Sequence, residues 1–146
     1  MKILTRDFGE FEIEKNDIIS FPAGLYAFEE EHEFVIISQD ELPDVYWLQS
    51  VNNSDLCFIL FNPQQLLEQY TPIYQLSTLE TIDAKSNSDL KYFVIGVIKE
   101  DFSLSTVNLK SPIVVNQDNN KALQIICENE DYSVKYPLVK SSQREV

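Results

Sequence analysis

The side chains that most often carry out chemistry are scarce in this sequence. Its one histidine, His32, lies in an acidic run that is expected to be solvated, so a zinc site with several histidines is excluded by count and His32 could act only alone. Three glycines, at positions 9, 24 and 96, cannot form a glycine-rich phosphate-binding loop. The 24 Asp and Glu make chance carboxylate pairs unavoidable, and none follows the spacing of a calcium loop. The pattern does not indicate an enzyme, and it leaves a binding module or a structural domain.

The two cysteines show no spacing typical of a redox or metal site. Cys57 and Cys127 each lie inside an apolar run, and neither belongs to a C-x-x-C motif. We therefore expect two buried free thiols, with a disulfide or a shared metal as the alternative. No cofactor is predicted.

The charge balance indicates the kind of partner. Eleven Lys and Arg face 24 Asp and Glu, which gives a formal net charge of −13. Nucleic-acid phosphates repel such a protein, so direct binding of RNA or DNA is not expected. The same field would speed encounter with a basic protein. The alternative is that the acidity only keeps a small domain soluble.

Length and composition are those of one globular domain spanning residues 1–146. Hydrophobic residues make up 44% of the chain, and no apolar run approaches the roughly 20 residues that span a bilayer. The first seven residues end at Asp7 and contain no apolar signal-peptide core. We expect no membrane contact, a location in the compartment of synthesis, and a frayed polar tail from about Lys140.

One apolar turn organises the chain around it. The segment from Ile18 to Glu29 begins as a strand, stops at Pro22 and turns at Gly24, which can adopt a positive φ. Because a turn this apolar would be poorly soluble in water, we expect its side chains to fold back as a plug over a core. The alternative is an ordinary hydrophobic corner. The side chains concerned are Leu25, Tyr26 and Phe28.

Short segments of strand character fill most of the chain, and turn residues separate them. The segment 56–61 is apolar at every position, so both of its faces must be covered. The segment 90–98 is the longest, and Gly96 within it indicates a bend or a close backbone approach. The loop 39–44 contains Pro43. The other predicted strands are 3–6 and 10–13 (a hairpin), 34–37, 45–51, 73–76, 102–108, 113–115, and a second hairpin of 121–127 with 132–136.

Two short helices complete the prediction. Asn62 can cap a helix with Pro63 in its first turn and residues to Gln69, and residues 77–82 have capping-box spacing. About ten short strands without crossover helices predict a mainly β fold. Its architecture would be a small antiparallel β-barrel or sandwich with one or two short helices.

An ordered set of motifs runs from Phe8 to Leu138. The motif residues are Phe21, Pro22, Gly24, Leu25, Phe28 and Glu29; Leu48, Gln49 and Ser50; residues 63–70; residues 106–109 and 111–113; Gln124 and Ile125; and Tyr132, Pro137 and Leu138. As a set, these motifs resemble the FliW family of flagellar assembly factors. Ala27 stands where that family usually has a second glycine, and Ser111 where it usually has alanine. The first departure bears on the turn after Leu25.

The resemblance implies a small cytoplasmic protein without enzymatic activity, monomeric when alone. Members of this family bind the carbon storage regulator CsrA, a basic RNA-binding dimer that represses translation of flagellin mRNA. They also bind flagellin, and the two partners exclude each other. The resemblance therefore implies that the protein relieves repression by CsrA once flagellin has been exported.

Polar positions inside the motifs are the candidate partner contacts, because a core does not require them. They are Glu29, Gln49 and Asn108, and each could instead tie down a loop backbone. A partner strand added to an exposed sheet edge is another route of recognition. The motif positions predicted to be structural are Phe21, Pro22, Gly24, Leu25, Phe28, Leu109 and Pro112.

Two rival functions stay open at the level of sequence. A barrel that holds a small molecule would need a central cavity lined by the apolar strands 56–61 and 90–98. An uncharacterised structural domain would have no specific partner. A filled core would contradict the first rival.

Overall fold

A computed structural model of the protein describes residues 1–139. The frayed tail predicted from Lys140 lies outside the described residues. One α-helical turn, α1, spans Pro63–Leu66, and 3-10 helices span Lys15–Asp17, Leu76–Ile82 and Phe102–Leu104. The strands are β1 (Lys2–Thr5), β2 (Gly9–Glu12), β3 (Ile19–Ser20), β4 (Glu33–Gln39), β5 (Leu42–Ser50), β6 (Cys57–Phe61), β7 (Leu90–Val97), β8 (Thr106–Val107), β9 (Ile113–Asn116), β10 (Lys121–Gln124) and β11 (Tyr136–Pro137).

The main sheet closes on itself. Its hydrogen-bonded order is β11-β8-β7-β6-β5-β4-β3-β10-β9, and β9 pairs again with β7. Strand β7 makes this closure possible because it is long enough to pair with β9 over residues 90–93 and with β8 at residues 96–97. All pairs are antiparallel except β3 with β10, which run parallel. The mainly β prediction is confirmed, and the central position of β7 with it.

Apolar side chains fill the inside of this ring. Phe21 and Phe34 meet edge to face, with ring centroids 5.2 Å apart. These side chains occupy the space in which a small-molecule-binding barrel would need its ligand cavity. The buried members of this cluster are Ile19, Phe21, Leu25, Phe34, Leu48, Leu60, Phe93, Ile113, Val115 and Ala122.

Three smaller clusters cover the outside of the sheet. The β1–β2 hairpin packs Ile3 and Ile13 onto Val35 and Ile37 of β4. The 3-10 helix Leu76–Ile82 covers β9 and β10, and a cluster around Tyr70, Val94 and Leu109 covers the outer face of β6 and β7. Within β6, Leu60 belongs to the interior and Phe61 to the outer cluster. The prediction that both faces of this strand are covered is therefore confirmed.

Several local predictions are also confirmed. The Asn62 side chain caps α1 by accepting a hydrogen bond from the Gln64 N–H, at 3.0 Å. Gly96 sits so close to the ring of Phe61 that a Cβ there would collide with it. Cys57 and Cys127 are free and buried, as expected.

Four predicted elements are wrong. Pro43 lies inside β5 and not in a loop, because the register between β4 and β5 shifts after Ser38 and leaves Pro43 outside the paired positions. The segment 73–76 is not a strand, since the 3-10 helix begins at Leu76. The segment 102–108 contains a 3-10 turn before the two-residue β8. The hairpin of 121–127 with 132–136 does not form, because β10 ends at Gln124 and β11 pairs with β8.

Candidate functional site

The apolar turn, residues 21–29, is held by a dense set of backbone hydrogen bonds; we name it the aromatic turn. The Phe21 N–H donates to the His32 carbonyl at 2.7 Å, and the Gly24 N–H donates to the Phe21 carbonyl at 2.9 Å. Leu25 and Phe28 exchange hydrogen bonds of 3.3 and 2.8 Å across a two-residue loop. Gly24 and Ala27 adopt positive φ of 69° and 71°, so the predicted left-handed glycine is confirmed. The turn is thus preorganised.

The aromatic turn faces both the core and the solvent, which corrects the expectation that all its side chains form a plug. Phe21 and Leu25 are buried in the barrel interior. In contrast, 50% of Tyr26, which lies in the two-residue loop, and 39% of Phe28, which follows the loop, is exposed. Phe28 packs edge to face on Phe58, with ring centroids 5.5 Å apart. The turn therefore presents two aromatic residues to solvent, and the ring of Phe28 is held by Phe58.

An acidic segment, residues 29–33, follows the aromatic turn and reinforces it. The His32 Nδ1 lies 2.8 Å from the Phe21 carbonyl oxygen. Because that oxygen only accepts, His32 Nδ1 is the donor, so the imidazole fastens the turn. Glu31 accepts a hydrogen bond from the Ser50 hydroxyl at 3.2 Å, whereas Glu29 and Glu30 point into solvent. The segment is therefore held through Glu31 and His32, while the carboxylates of Glu29 and Glu30 are exposed.

Gln49, a candidate contact, is 1% exposed. Its Oε1 accepts a hydrogen bond from the Arg6 N–H at 2.9 Å, which joins the β1–β2 hairpin to the sheet. Its Nε2 donates toward carbonyl oxygens of the β5–β6 turn, 3.1 to 3.3 Å away. The role that the structure gives Gln49 is the loop-tying one, and a partner would have to open this turn to reach it.

Asn108, a second candidate, is half-buried and organises a turn of its own. Its Oδ1 accepts hydrogen bonds from the N–H groups of Lys110 and Ser111, both at 3.0 Å. This turn lets the chain leave the edge of β7 after β8 and return to it as β9. Of the three candidates, Glu29 alone has an exposed side chain, and the structure does not bring the three together.

The acidic residues are distributed unevenly, a feature that the whole-chain charge conceals. Residues 16–84 contain 12 Asp and Glu and no Lys or Arg, whereas residues 85–146 contain eight of each kind. The first stretch, which we name the acidic half, supplies the adjacent strands β3, β4, β5 and β6. The second, the neutral half, supplies β7 to β11 up to the last described residue. Counting charges by segment would have found this asymmetry from the sequence.

The buried titratable groups are held in their neutral forms. Burial raises the pKa of the Cys57 thiol to about 11, and burial also raises the pKa of Cys127, Tyr70 and Tyr92.

A groove of about 170 Å³ lies beside Tyr70 and Tyr92. Within residues 1–139, no three His, Cys, Asp or Glu side chains are grouped to hold a metal ion. Over the same residues, no helix is long and apolar enough to cross a membrane.

Comparison with known proteins places the chain in a family. The family model described as FliW protein matches residues 2–138. Relatives named flagellar assembly factor FliW include those of Syntrophomonas wolfei, 38% identical over 99% of this chain and 93% of the relative, and Oceanobacillus iheyensis, 39% identical over 91% and 90%. A crystal structure of the flagellar assembly factor FliW superposes with a TM-score of 0.88 at 33% identity, covering 96% of this chain and 98% of that one. The chain belongs to the FliW family.

Proposed function

We propose that this protein is a cytoplasmic flagellar assembly factor that binds CsrA and flagellin as mutually exclusive partners. The observation that carries the proposal is the family match over residues 2–138. In this proposal the protein acts by occupying the surface of another protein, without catalysis and without binding nucleic acid or membrane itself. The filled barrel interior supports a role for the outer surface rather than for a central cavity.

The net charge of −13 supports the choice of a basic, RNA-binding partner. Opposite charges speed the encounter of two proteins. Once docked, an acidic barrel beside CsrA also raises the free energy of bringing RNA phosphates to the complex. Antagonism then needs no overlap with the RNA groove, and it weakens as salt shortens the screening length to a few ångströms. If antagonism is equally strong from low to near-molar salt, the electrostatic explanation is wrong. Steric exclusion of RNA or a change in the shape of CsrA would then explain the antagonism.

Exclusive binding makes the protein a sensor of flagellin concentration. The partner with the larger ratio of concentration to dissociation constant holds the shared protein. While flagellin accumulates, it occupies this protein and CsrA is free to repress translation. Export of flagellin releases the protein, which then binds CsrA and relieves repression.

A competition pull-down tests the proposal. Purified, immobilised protein is incubated with CsrA, with flagellin, and with each partner in the presence of increasing amounts of the other. We expect each to be retained alone and each to displace the other. Retention of neither partner, or simultaneous retention of both on one molecule, would contradict the proposal.

A further inference from the structure

We propose that the aromatic turn is the docking surface for the basic protein partner, with Tyr26 and Phe28 entering an apolar cleft lined by cationic side chains. This inference rests on the proposed function and assigns a surface to it. The surface consists of the two exposed aromatic side chains and the flanking carboxylates of Glu29 and Glu30.

The two aromatic residues have the properties of binding anchors. Large aromatic side chains held rigidly in solvent dominate the energetics of many protein interfaces. Tyr26 is exposed while its backbone N–H donates to the Gln124 Oε1 at 3.1 Å. Phe28 is fixed by its ring contact with Phe58. The backbone of Tyr26 and the ring of Phe28 are therefore held in place before a partner covers them, which lowers the conformational entropy lost on binding.

The surroundings of the anchors define the charge of the partner. The β5–β6 turn, which carries Asp55, lies at the same end of the barrel as residues 29–33, because the Val51 N–H donates to the Glu33 carbonyl at 3.0 Å. The nearby cation, Arg6, contacts the Cys57 carbonyl and is paired with Asp7 at 2.9 Å. On this side of the anchors, carboxylates therefore outnumber cationic side chains. A second copy of this chain would bring like charges together, whereas a basic protein would neutralise them.

Two pairs of variants separate this surface from the overall charge and from general surface effects. The substitutions Glu29→Gln with Glu30→Gln and the control Glu128→Gln with Glu130→Gln change the net charge equally, but the control lies in the neutral half. The substitution Tyr26→Ser is matched by Leu42→Ser, since these side chains are 50% and 51% exposed. Leu42 follows the far end of β4 and is remote from the aromatic turn.

Binding of purified CsrA to each variant is measured by surface plasmon resonance at low and at moderate salt. We expect Tyr26→Ser to weaken binding about tenfold or more, mainly through faster dissociation, and Leu42→Ser to change it less than about twofold. The Glu29/Glu30 variant should associate about two- to fivefold more slowly at low salt, and the Glu128/Glu130 variant should stay close to the wild type.

The outcomes distinguish this inference from the function on which it rests. If the wild type binds CsrA but the matched controls weaken binding as much as the test variants, the docking surface is elsewhere and the proposed function survives. If the wild type does not bind CsrA, the proposed function fails and the inference fails with it. The charge variants leave the barrel interior untouched, so they decide the question even if Tyr26→Ser disturbs the turn.

Discussion

The acidic half and the neutral half share one hydrophobic core but differ in charge. The interior cluster takes Phe34 and Leu60 from the acidic half and Phe93 and Ile113 from the neutral half. All but one unit of the net charge of −13 lies in residues 16–84. The carboxylates concentrate in turns, where water solvates them, so like-charge repulsion is kept away from the packing. Both halves therefore contribute to the hydrophobic core, whereas the net negative charge is concentrated in the acidic half.

Cavities made in either half should be equally damaging if the core is shared. We expect Phe34→Ala and Phe93→Ala each to lower the free energy of unfolding by about 3 to 5 kcal/mol, because both side chains are buried in the same cluster. Urea denaturation followed by fluorescence of Trp47 and by circular dichroism gives both values. Two separate transitions, or a large loss for one variant and a small one for the other, would show that the halves fold independently.

Gln49 should be a stabilising residue of the acidic half rather than a contact. Replacement by Leu leaves the Arg6 N–H without its acceptor and removes one donor from the carbonyls of the β5–β6 turn, so we expect the free energy of unfolding to fall by about 2 kcal/mol. Gln65→Leu, at an exposed position in α1, serves as the control and should change stability by less than about 0.5 kcal/mol. If the Gln49→Leu and Gln65→Leu variants were equally stable, the loop-tying role assigned to Gln49 would be contradicted.

The raised pKa values of the two buried thiols should make the stability of the protein depend on alkaline pH. The pKa of Cys57 is raised by burial from 9.0 to about 11, so between these values the folded protein keeps a proton that the unfolded chain releases. The free energy of unfolding should therefore fall as the pH rises from about 9 to about 11. Cys57→Ala should show a shallower fall, and the remainder comes from groups such as Cys127, whose pKa burial also raises. A slope unchanged by the substitution would contradict this assignment.

The smallest expected effect concerns the aromatic turn itself. Ala27 has a positive φ of 71°, which is strained for alanine, so Ala27→Gly should raise stability by about 0.5 to 1 kcal/mol. In the neutral half, Asn120 also has a positive φ, of 55°, but asparagine tolerates it and its side chain donates to the Asn16 carbonyl. Asn120→Gly should bring no gain. Thermal denaturation compares the two, and a gain at Asn120 but none at Ala27 would overturn the account of this turn.

The sequence predicted elements whose signals are local. The strand 56–61, the cap at Asn62 and the left-handed Gly24 each depend on a few neighbouring residues, and each is found in the structure. Closure of the sheet depends on pairing between β7 and β9 and between β3 and β10, which are remote in sequence and leave no local pattern. Pro43 misled the prediction because a proline is tolerated in a strand where pairing is interrupted.

The candidate site was only partly predictable for a related reason. The composition of the aromatic turn predicted a structural corner, and Tyr26 and Phe28 were not among the predicted contacts, because residue type alone does not tell which aromatic side chains point inward. Leu25 lies before the two-residue loop and is buried in the barrel interior, whereas Tyr26 lies in the loop and is exposed. Polar residue type was equally ambiguous, since Gln49 is buried by the turn that it stabilises while Glu29 remains in solvent.

Hydrogen exchange of the protein with and without CsrA shows whether the acidic half carries the partner surface. Peptides covering each half are compared in one experiment, at a salt concentration that permits binding. We expect slower exchange in residues 21–33 and in the β5–β6 turn, with little change in residues 113–124. Protection confined to β7 through β11, with residues 21–33 unchanged, would contradict this expectation.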